Sequence, residues 1–244
     1  MARLDIPRIV KMPVEVQATD ALRESIVSGA IPAGARITEI QISEQMALSR
    51  ATVRTAFHEL AKEGLLTLVP YTGWTVISLT SEDVWELYTL RSAVERLAAQ
   101  LVARSIAVAR GDSLNSAFER LVKECRKGGT SRIAEADFAL HKTIIELAAH
   151  KRLSVQYGLI EQQIRMYIRS SDALIPDPAV IIEQHRPIVE AILAGDIKAS
   201  GRLSEEHNLS EGEKLTAYLR EIERQAAEKP RPPTRAIIKR KIAR

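Results

Sequence analysis

A single cysteine, Cys125, in 244 residues excludes an internal disulfide framework and fits a reducing compartment. No segment approaches the roughly 20 consecutive apolar residues that a membrane-spanning helix needs, so no membrane partner is expected. The opening MARLDIPRIV is too short and too interrupted for a signal peptide, and the expected compartment is the cytoplasm. Strand signals are scarce outside residues 65–78, which excludes a sheet-dominated fold. No H-E-x-x-H occurs, and no obvious general base stands beside the candidate metal ligands described below, which counts against a metallohydrolase. An excess of one charge is also missing from most of the chain. The formal net charge is +4, but residues 1–80 hold eight Lys+Arg against eight Asp+Glu, and residues 81–228 hold 20 against 23. Residues 229–244 hold seven basic residues and no acidic one. Bulk charge therefore gives no reason for the first 80 residues to bind nucleic acid, and any such reason must lie in placed side chains.

What is present is length and helical periodicity. Hydrophobic residues make up 45% and charged residues 27%, enough for one or two globular domains with real cores. Residues 1–13, with Pro7 and Pro13, read as a flexible arm. Residues 14–28 read as a helix burying Ala21, Leu22, Ile26 and Val27, ended by Gly29. A short extended piece follows around Arg36 and Ile37. Glu39–Met46 is a second helix and Ala47-Leu48 a tight turn. The next helix begins at Ser49, whose hydroxyl can accept from a free backbone N–H. At about 100° per residue, Val53, Ala56, Phe57, Leu60 and Ala61 share one side. Ala51, Thr52, Arg54, Thr55 and His58 share the other, with Arg50 in the first turn. Such a helix suits a DNA major groove; equally, it could be amphipathic with merely solvated arginines. After Gly64, LLTLVP and WTVISL are extended runs joined by Tyr71-Thr72-Gly73, a β-ribbon with Gly73 at its tip, where backbone can approach a phosphate or the minor groove.

From Ser81 the pattern is helical almost throughout, broken at 109–112, 128–129, 171–178 and 195–196. Candidate helices are 81–107, 112–127, 130–149, 152–171, 178–194 and 196–225, amphipathic and shortly connected, which argues an antiparallel bundle. The fold class expected is mainly α: a helix-turn-helix with a small β-ribbon, then an all-α antiparallel bundle. The tail from residue 227 is Pro-rich and basic and reads as disordered.

Asp137 and His141 are spaced i,i+4, on one face of a helix beside the apolar stripe Ile133, Ala136, Leu140, Ile144. His185 lies in a stripe with Ile181, Ile188 and Ile192, and His207 falls on the last helix. One carboxylate and three imidazoles converging from three helices would make a divalent-metal site; inward histidines can also be core residues bonded to backbone. Arg91 interrupts the stripe Val84, Leu87, Val94, Ala98, Leu101, so a cation points toward the apolar side. It calls for a partner, either Glu95 at i+4 or a ligand carboxylate held bidentately. Arg165 and Arg169 are further effector-binding candidates. His150 reads as a capping residue outside the set.

The order G-x-I-x-x-G-x-x-(I/L)-x-E, then S-R-x-x-V-R, L-x-x-E-G-L and x-G-x-x-V, over roughly residues 14–78, resembles the winged helix-turn-helix of the GntR superfamily of bacterial transcription regulators. The resemblance implies DNA contacts from Ser49, Arg50, Arg54 and the wing residue Gly73, with Thr52 as a candidate. The chain departs from the pattern at Ala47, Ala51 and Thr55, which bears on the operator sequence. D-x-x-x-H followed by two spaced histidines, after Leu90-Arg91-Ser92-Ala93-Val94-Glu95, is similar to the FCD effector domain of the FadR subfamily. That likeness implies that Asp137, His141, His185 and His207 bind a divalent ion, zinc or nickel, and that a small organic acid is the effector.

The domains expected are therefore an arm (1–13), a winged helix-turn-helix (14–79), a helical effector and dimerisation domain (80–226) and a basic tail (227–244). The function implied is that of a non-enzymatic, homodimeric, ligand-responsive regulator. It would bind a double-stranded DNA operator, as a repressor of a metabolic operon. The alternatives are a metal-dependent hydrolase, or a regulator whose metal is purely structural.

Overall fold

The structure, a computed structural model, describes residues 12–78, 80–106 and 108–228. The expected arm and tail fall outside these residues apart from Met12, Pro13, Ala227 and Glu228.

The N-terminal unit is three helices and a small sheet. Helix α1, Val14–Val27, follows Pro13 and buries Ala18, Leu22, Ile26 and Val27. Ala21, expected inside, is exposed. It lies about 100° around the helix from Leu22, away from the line that Ala18, Leu22 and Ile26 make at intervals of four. Helix α2, Glu39–Met46, is capped by Thr38, whose Oγ1 accepts from the Gln41 amide at 3.2 Å. Helix α3, Arg50–Lys62, is capped by Ser49, whose Oγ accepts from the Thr52 amide at 3.1 Å. Between them Ala47 takes a left-handed conformation, φ 54° and ψ 42°. Strands β1 (Arg36–Ile37), β2 (Leu66–Val69) and β3 (Gly73–Val76) form an antiparallel sheet in the order β1-β3-β2. The expected ribbon thus gains a third strand, because Arg36 pairs with Thr75 and Ile37 with Trp74.

The apolar side of α3 makes this unit's core. Val53, Ala56, Phe57 and Leu60 are fully buried, and Phe57 meets Trp74 of β3 edge-on, with ring centroids 5.5 Å apart. Arg23 of α1 donates through Nε and Nη2 to the Glu63 carboxylate at 2.7 and 2.6 Å, tying α1 to the end of α3.

The remainder is helical: α4 (Ser81–Arg104), α5 (Val108–Lys127), α6 (Thr130–Leu147), α7 (Lys151–Asp172), α8 (Pro178–Leu193) and α9 (Ile197–Glu228). A capping box starts α4: the Asp83 amide donates to Thr80 Oγ1, and the Thr80 amide donates to the Asp83 carboxylate. The break expected at 109–112 is absent, since α5 runs through it and the chain turns before Val108 instead. A helical glycine costs about 1 kcal/mol but does not end a helix. Gly111 sits close to Leu193 of α8, where an added Cβ would lie 3.4 Å from Leu193 Cδ2.

Helices α4 and α9 pack closely along their lengths. A Cβ at Gly212 would lie 2.6 Å from Tyr88 Cβ, and one at Gly201 2.6 Å from Gln100 Cγ. Gly212 lets the axes approach where a side chain would meet Tyr88 next to its backbone, whereas at Gly201 the flexible Gln100 side chain fills the gap.

Candidate functional site

The bundle brings four expected residues to one point. Asp137 and His141 stand one turn apart on α6, His185 comes from α8 and His207 from α9. Asp137, His141 and His185 are buried, and His207 is partly so. Nε2 of His141 lies 3.1 Å from Nε2 of His185. Asp137 Oδ1 lies 3.1 Å from the first nitrogen and 3.4 Å from the second. One nitrogen from each of His141, His185 and His207 falls within 4.8 Å of the others.

The far side of two rings fixes which nitrogen faces inward. His141 Nδ1 is 2.7 Å from Glu95 Oε2, and His185 Nδ1 is 2.7 Å from the Ile181 carbonyl. Acceptors at both Nδ1 atoms set the proton there and leave the Nε2 lone pairs pointing at one another. Asp137 Oδ1, for all its proximity to both rings, makes no aligned hydrogen bond among the described residues. Atoms sharing one ion with bonds of about 2.1 Å lie roughly 3.0–3.4 Å apart. The measured spacings, the oriented tautomers and the orphaned carboxylate oxygen therefore fit a divalent cation.

Glu95 is held in turn. Arg91 Nε donates to its Oε1 at 2.7 Å, and Asn208 Nδ2 donates to its Oε2 at 2.9 Å. Burial raises the Glu95 carboxyl, but the Arg91 and His141 charges outweigh that and keep it well below the usual carboxylate range. Burial also raises Asp137, and the His185 charge with the two close imidazoles more than reverses it. Burial, then the neighbouring His185 and His141, depress His207 far below an ordinary histidine, which keeps its ring neutral. For His185 burial disfavours the charged form, yet the Asp137 carboxylate wins and leaves it raised. A neutral ring at His207 beside an ionised carboxylate at Asp137 is the protonation state a metal ligand needs.

A small cavity adjoins the cluster, lined by Tyr88 and Arg91 of α4, Asp137 and His141 of α6, and Asp172, Gln184 and Glu211 among others. Arg91 takes the first of its two expected partners. It pairs with Glu95, and its Nη2 has no hydrogen-bond partner among the described residues. Burial, then the charges of Asp137 and Glu211, push the Asp172 carboxyl up to about 9. Arg165 and Arg169, expected beside Arg91, do not line the cavity. Arg165 on α7 donates from Nε to Glu135 of α6 at 2.7 Å and from Nη1 and Nη2 to Glu24 of α1. Arg169 Nη1 donates to Ser131 Oγ at 2.7 Å. Both lie on the α7 face turned toward other helices, one turn apart. His150 caps α7, its Nδ1 accepting from the Leu153 amide at 3.1 Å.

The second candidate surface is the exposed side of α3 with the sheet's hairpin. Ser49, Arg50 and Arg54 are exposed and Thr52 half-buried, and Ser49 Oγ lies 3.0 Å from Thr52 Oγ1. Arg54 is engaged: Nε and Nη2 donate to the two oxygens of Glu39 on α2, at 2.9 and 2.8 Å. Val69 pairs with Gly73, so the hairpin tip is residues 70–72 and Gly73, φ 102°, closes it instead of forming it. The fully exposed tip residue is Tyr71, itself at φ 62°.

Several participants escaped the sequence reading. Glu95 was legible as a partner of Arg91 but not as the orienter of His141, 46 positions away. Asn208 carried no signal beyond sitting next to His207. Glu211, at i+4 from His207, could have been found by helical spacing, whereas Asp172 could not.

Comparison with known proteins agrees with both halves. Residues 15–76 match the family described as bacterial regulatory proteins, gntR family, and residues 86–210 match the FCD domain. The "Probable D-xylose utilization operon transcriptional repressor" of Paenarthrobacter nicotinovorans is 33% identical over 192 residues, spanning 78% of this chain and 83% of that protein. The gluconate operon transcriptional repressor of Bacillus subtilis (strain 168) is 24% identical, over 76% of this chain and 78% of its own. The fold matches that of E. coli McbR/YncC, with a TM-score of 0.71 at 19% identity over 85% of this chain and 99% of that one. With a capped, arginine-bearing helix beside a β-hairpin in front and a histidine-lined bundle behind, the chain belongs to the GntR family of bacterial regulatory proteins, with an FCD domain, and is a DNA-binding transcription regulator, not an enzyme.

Proposed function

We propose that this regulator is a cytoplasmic repressor of a metabolic operon, relieved or reinforced by a small carboxylate that binds at a metal ion in the helical bundle. One observation carries the reading: the Nε2 atoms of His141 and His185 and the Asp137 oxygen converge beside a cavity that the Arg91 guanidinium also lines. Asp137, His141, His185 and His207 would hold zinc or nickel. The bound ion would supply a positive centre with coordination positions open to a carboxylate. Arg91 would orient that carboxylate through Nη2 while Glu95 holds both Arg91 and His141 in place.

On the DNA side, α3 would enter the major groove, with Ser49, Arg50, Thr52 and Arg54 at base edges and phosphates and the Gly73 hairpin at the flanking backbone. Tyr71, at the hairpin tip, adds an aromatic to that reach. Glu39 holds the Arg54 guanidinium across the face of α3. The pair is exposed, so DNA can displace Glu39 at little cost. A homodimer would place two such helices on a pseudo-palindromic site. The exposed apolar side chains Leu90 and Leu97 of α4 and Val155 and Leu159 of α7 offer a surface for the second copy.

Arg165 gives a route between the two ends. It grips Glu135, two residues before Asp137, and reaches Glu24 in the DNA-binding unit. A shift of α6 on ligand binding would move α1, and through it the spacing of the paired recognition helices.

The test is operator binding. A duplex selected from a random library should be bound by the metal-loaded protein, with affinity changed several-fold by one of a set of small organic acids and by none after chelation. Arg54→Ala should nearly abolish specific binding, and removing residues 229–244 should cost little. Tight operator binding that no acid alters would leave the metal as purely structural.

A further inference from the structure

Helix α7 meets the N-terminal unit on two flanks. Arg165 reaches Glu24 of α1, and Gln163 reaches the far end of the recognition helix, where its Nε2 donates to the Gly64 carbonyl at 3.3 Å. Among the described residues, the side-chain hydrogen bonds that cross from the bundle to that unit all start from these two residues. Residues two positions apart on an α-helix point about 200° apart. The two side chains therefore leave α7 on opposite sides, with Ile164 fully buried between them.

Gly64 suits the contact. It follows Glu63, the C-cap of α3, and takes φ 70°. Carbonyls at the end of a helix lack intrahelical donors and carry the negative end of its dipole, so an amide N–H arriving from α7 is well placed there. A Cβ on Gly64 would fall 1.9 Å from Gln163 Nε2, so any side chain at this position would drive the amide away.

The two contacts close on each other. Glu63, next to Gly64, accepts from Arg23 Nε and Nη2, and Arg23 precedes Glu24, which Arg165 holds. The circuit runs from α7 to the end of α3, on to α1 and back to α7. An exposed ion pair by itself contributes little, and a single contact leaves the unit free to turn about it. Anchors on both flanks of α7 oppose that rotation. Each side chain in a closed set has already lost freedom to its neighbour, so ordering the next one costs less.

We propose that Gln163 is a positioning residue for DNA recognition. Through Gly64 it sets the orientation of α3 relative to the bundle, and with Arg165 it holds the DNA-binding unit in one pose before DNA arrives. Where two copies bind together, which rests on the homodimer reading above, that pose fixes the half-site spacing the protein accepts. One added base pair moves a half-site by about 3.4 Å and turns it by about 35°, a change that two fixed recognition helices do not follow.

Spin labels at Gln45→Cys on α2 and Lys198→Cys on α9, both exposed positions, read the pose in the full-length protein. Dilution with unlabelled chain keeps each measured distance within one copy. With the circuit intact the distance distribution should be single and narrow. Gln163→Ala should broaden it, and Gln163→Glu, which keeps the shape and removes the donor, should broaden it as much. Gly64→Ala displaces the same amide and should add nothing further to Gln163→Ala. A narrow distribution in either Gln163 variant, with circular dichroism unchanged, overturns the proposal. Operator binding gives the second readout, on duplexes selected from a random library with and without one base pair inserted between half-sites. Gln163→Ala should bind the selected duplex nearly as the wild type does and lose most of the wild type's several-fold penalty for the insertion. An equal penalty in the variant overturns the proposal as well. Selected duplexes that carry a single half-site would defeat the homodimer reading, and the spin-label distances then decide this proposal by themselves.

Discussion

Ala47 and Glu95 show how much a single residue can depend on its place. Ala47 ends α2 at φ 54°, a conformation that costs a residue with a Cβ about 1 kcal/mol or more and a glycine little. Ala47→Gly should therefore stabilise the protein by about 0.5–1 kcal/mol, less the added freedom of its unfolded chain, read as a higher urea midpoint with an unchanged slope. Should stability fall instead, the turn is not strained. The resemblance marked Ala47 as a departure from the family pattern, and the left-handed backbone gives that departure its cost. Glu95 is the opposite case: visible as an i+4 partner of Arg91, it becomes the carboxylate that fixes the His141 tautomer only once α4 and α6 lie side by side.

Among elements, the contact of α4 with α9 is the most exacting. Gly212 leaves no room for a methyl group, since the nearest atom is Tyr88 Cβ, close to the backbone, and not the yielding end of a side chain. Gly212→Ala should cost about 1–3 kcal/mol through overpacking, measured by denaturant unfolding. It should also weaken metal binding, because Tyr88, His207 and Asn208 sit on the same two helices. The α7 helix carries the other element-scale prediction. Arg165→Met keeps the aliphatic stem and removes the bonds to Glu135 and Glu24. Operator affinity without ligand should change little, whereas the ligand-induced change in that affinity should shrink several-fold with ligand affinity intact. Full response in the variant would show that coupling travels elsewhere.

For the whole molecule, an ion held at the imidazole cluster, as proposed, would link metal, pH and stability. An ion bound only by the folded state at 100 times its dissociation constant adds about 2.7 kcal/mol, roughly 5–10 °C in melting temperature at this size. Chelation should remove that increment. The pH dependence follows from the site's shifts. Asp137 and Glu95 lie below their ordinary range, so their contribution is complete above the usual carboxylate pKa and is lost as pH falls through the depressed values. His207 is also depressed. Below about 6.5 the unfolded chain takes up a proton there that the folded one refuses, so stability falls as pH is lowered through that point. His185, raised, works in the other direction and is present below its unfolded pKa. Metal binding requires all three rings unprotonated. The melting-temperature gain from metal should therefore be largest near pH 8 and shrink below about pH 6.5. A gain independent of pH would exclude imidazole ligation.

By itself the sequence determined the mainly α class, the capped helix at Ser49, the buried side of α3 and the Asp137–His141 pair, while the family resemblance added His185 and His207. Each is written locally, in a capping hydroxyl, a 3.6-residue period or an i,i+4 pair, and local signals survive whatever the rest of the chain does. It misplaced the break before α5 and the inward face at Ala21, where a glycine or an alanine carries little local preference and packing decides. Only the tertiary structure decided that Arg36–Ile37 joins the hairpin as a third strand, that Arg165 faces the DNA-binding unit and not the cavity, and that Asp172 ends at the cavity beside the imidazole cluster with an oxygen unmet. Those outcomes depend on which helix lies against which, over separations of 30 to 140 residues, and no periodicity along one helix encodes its neighbour.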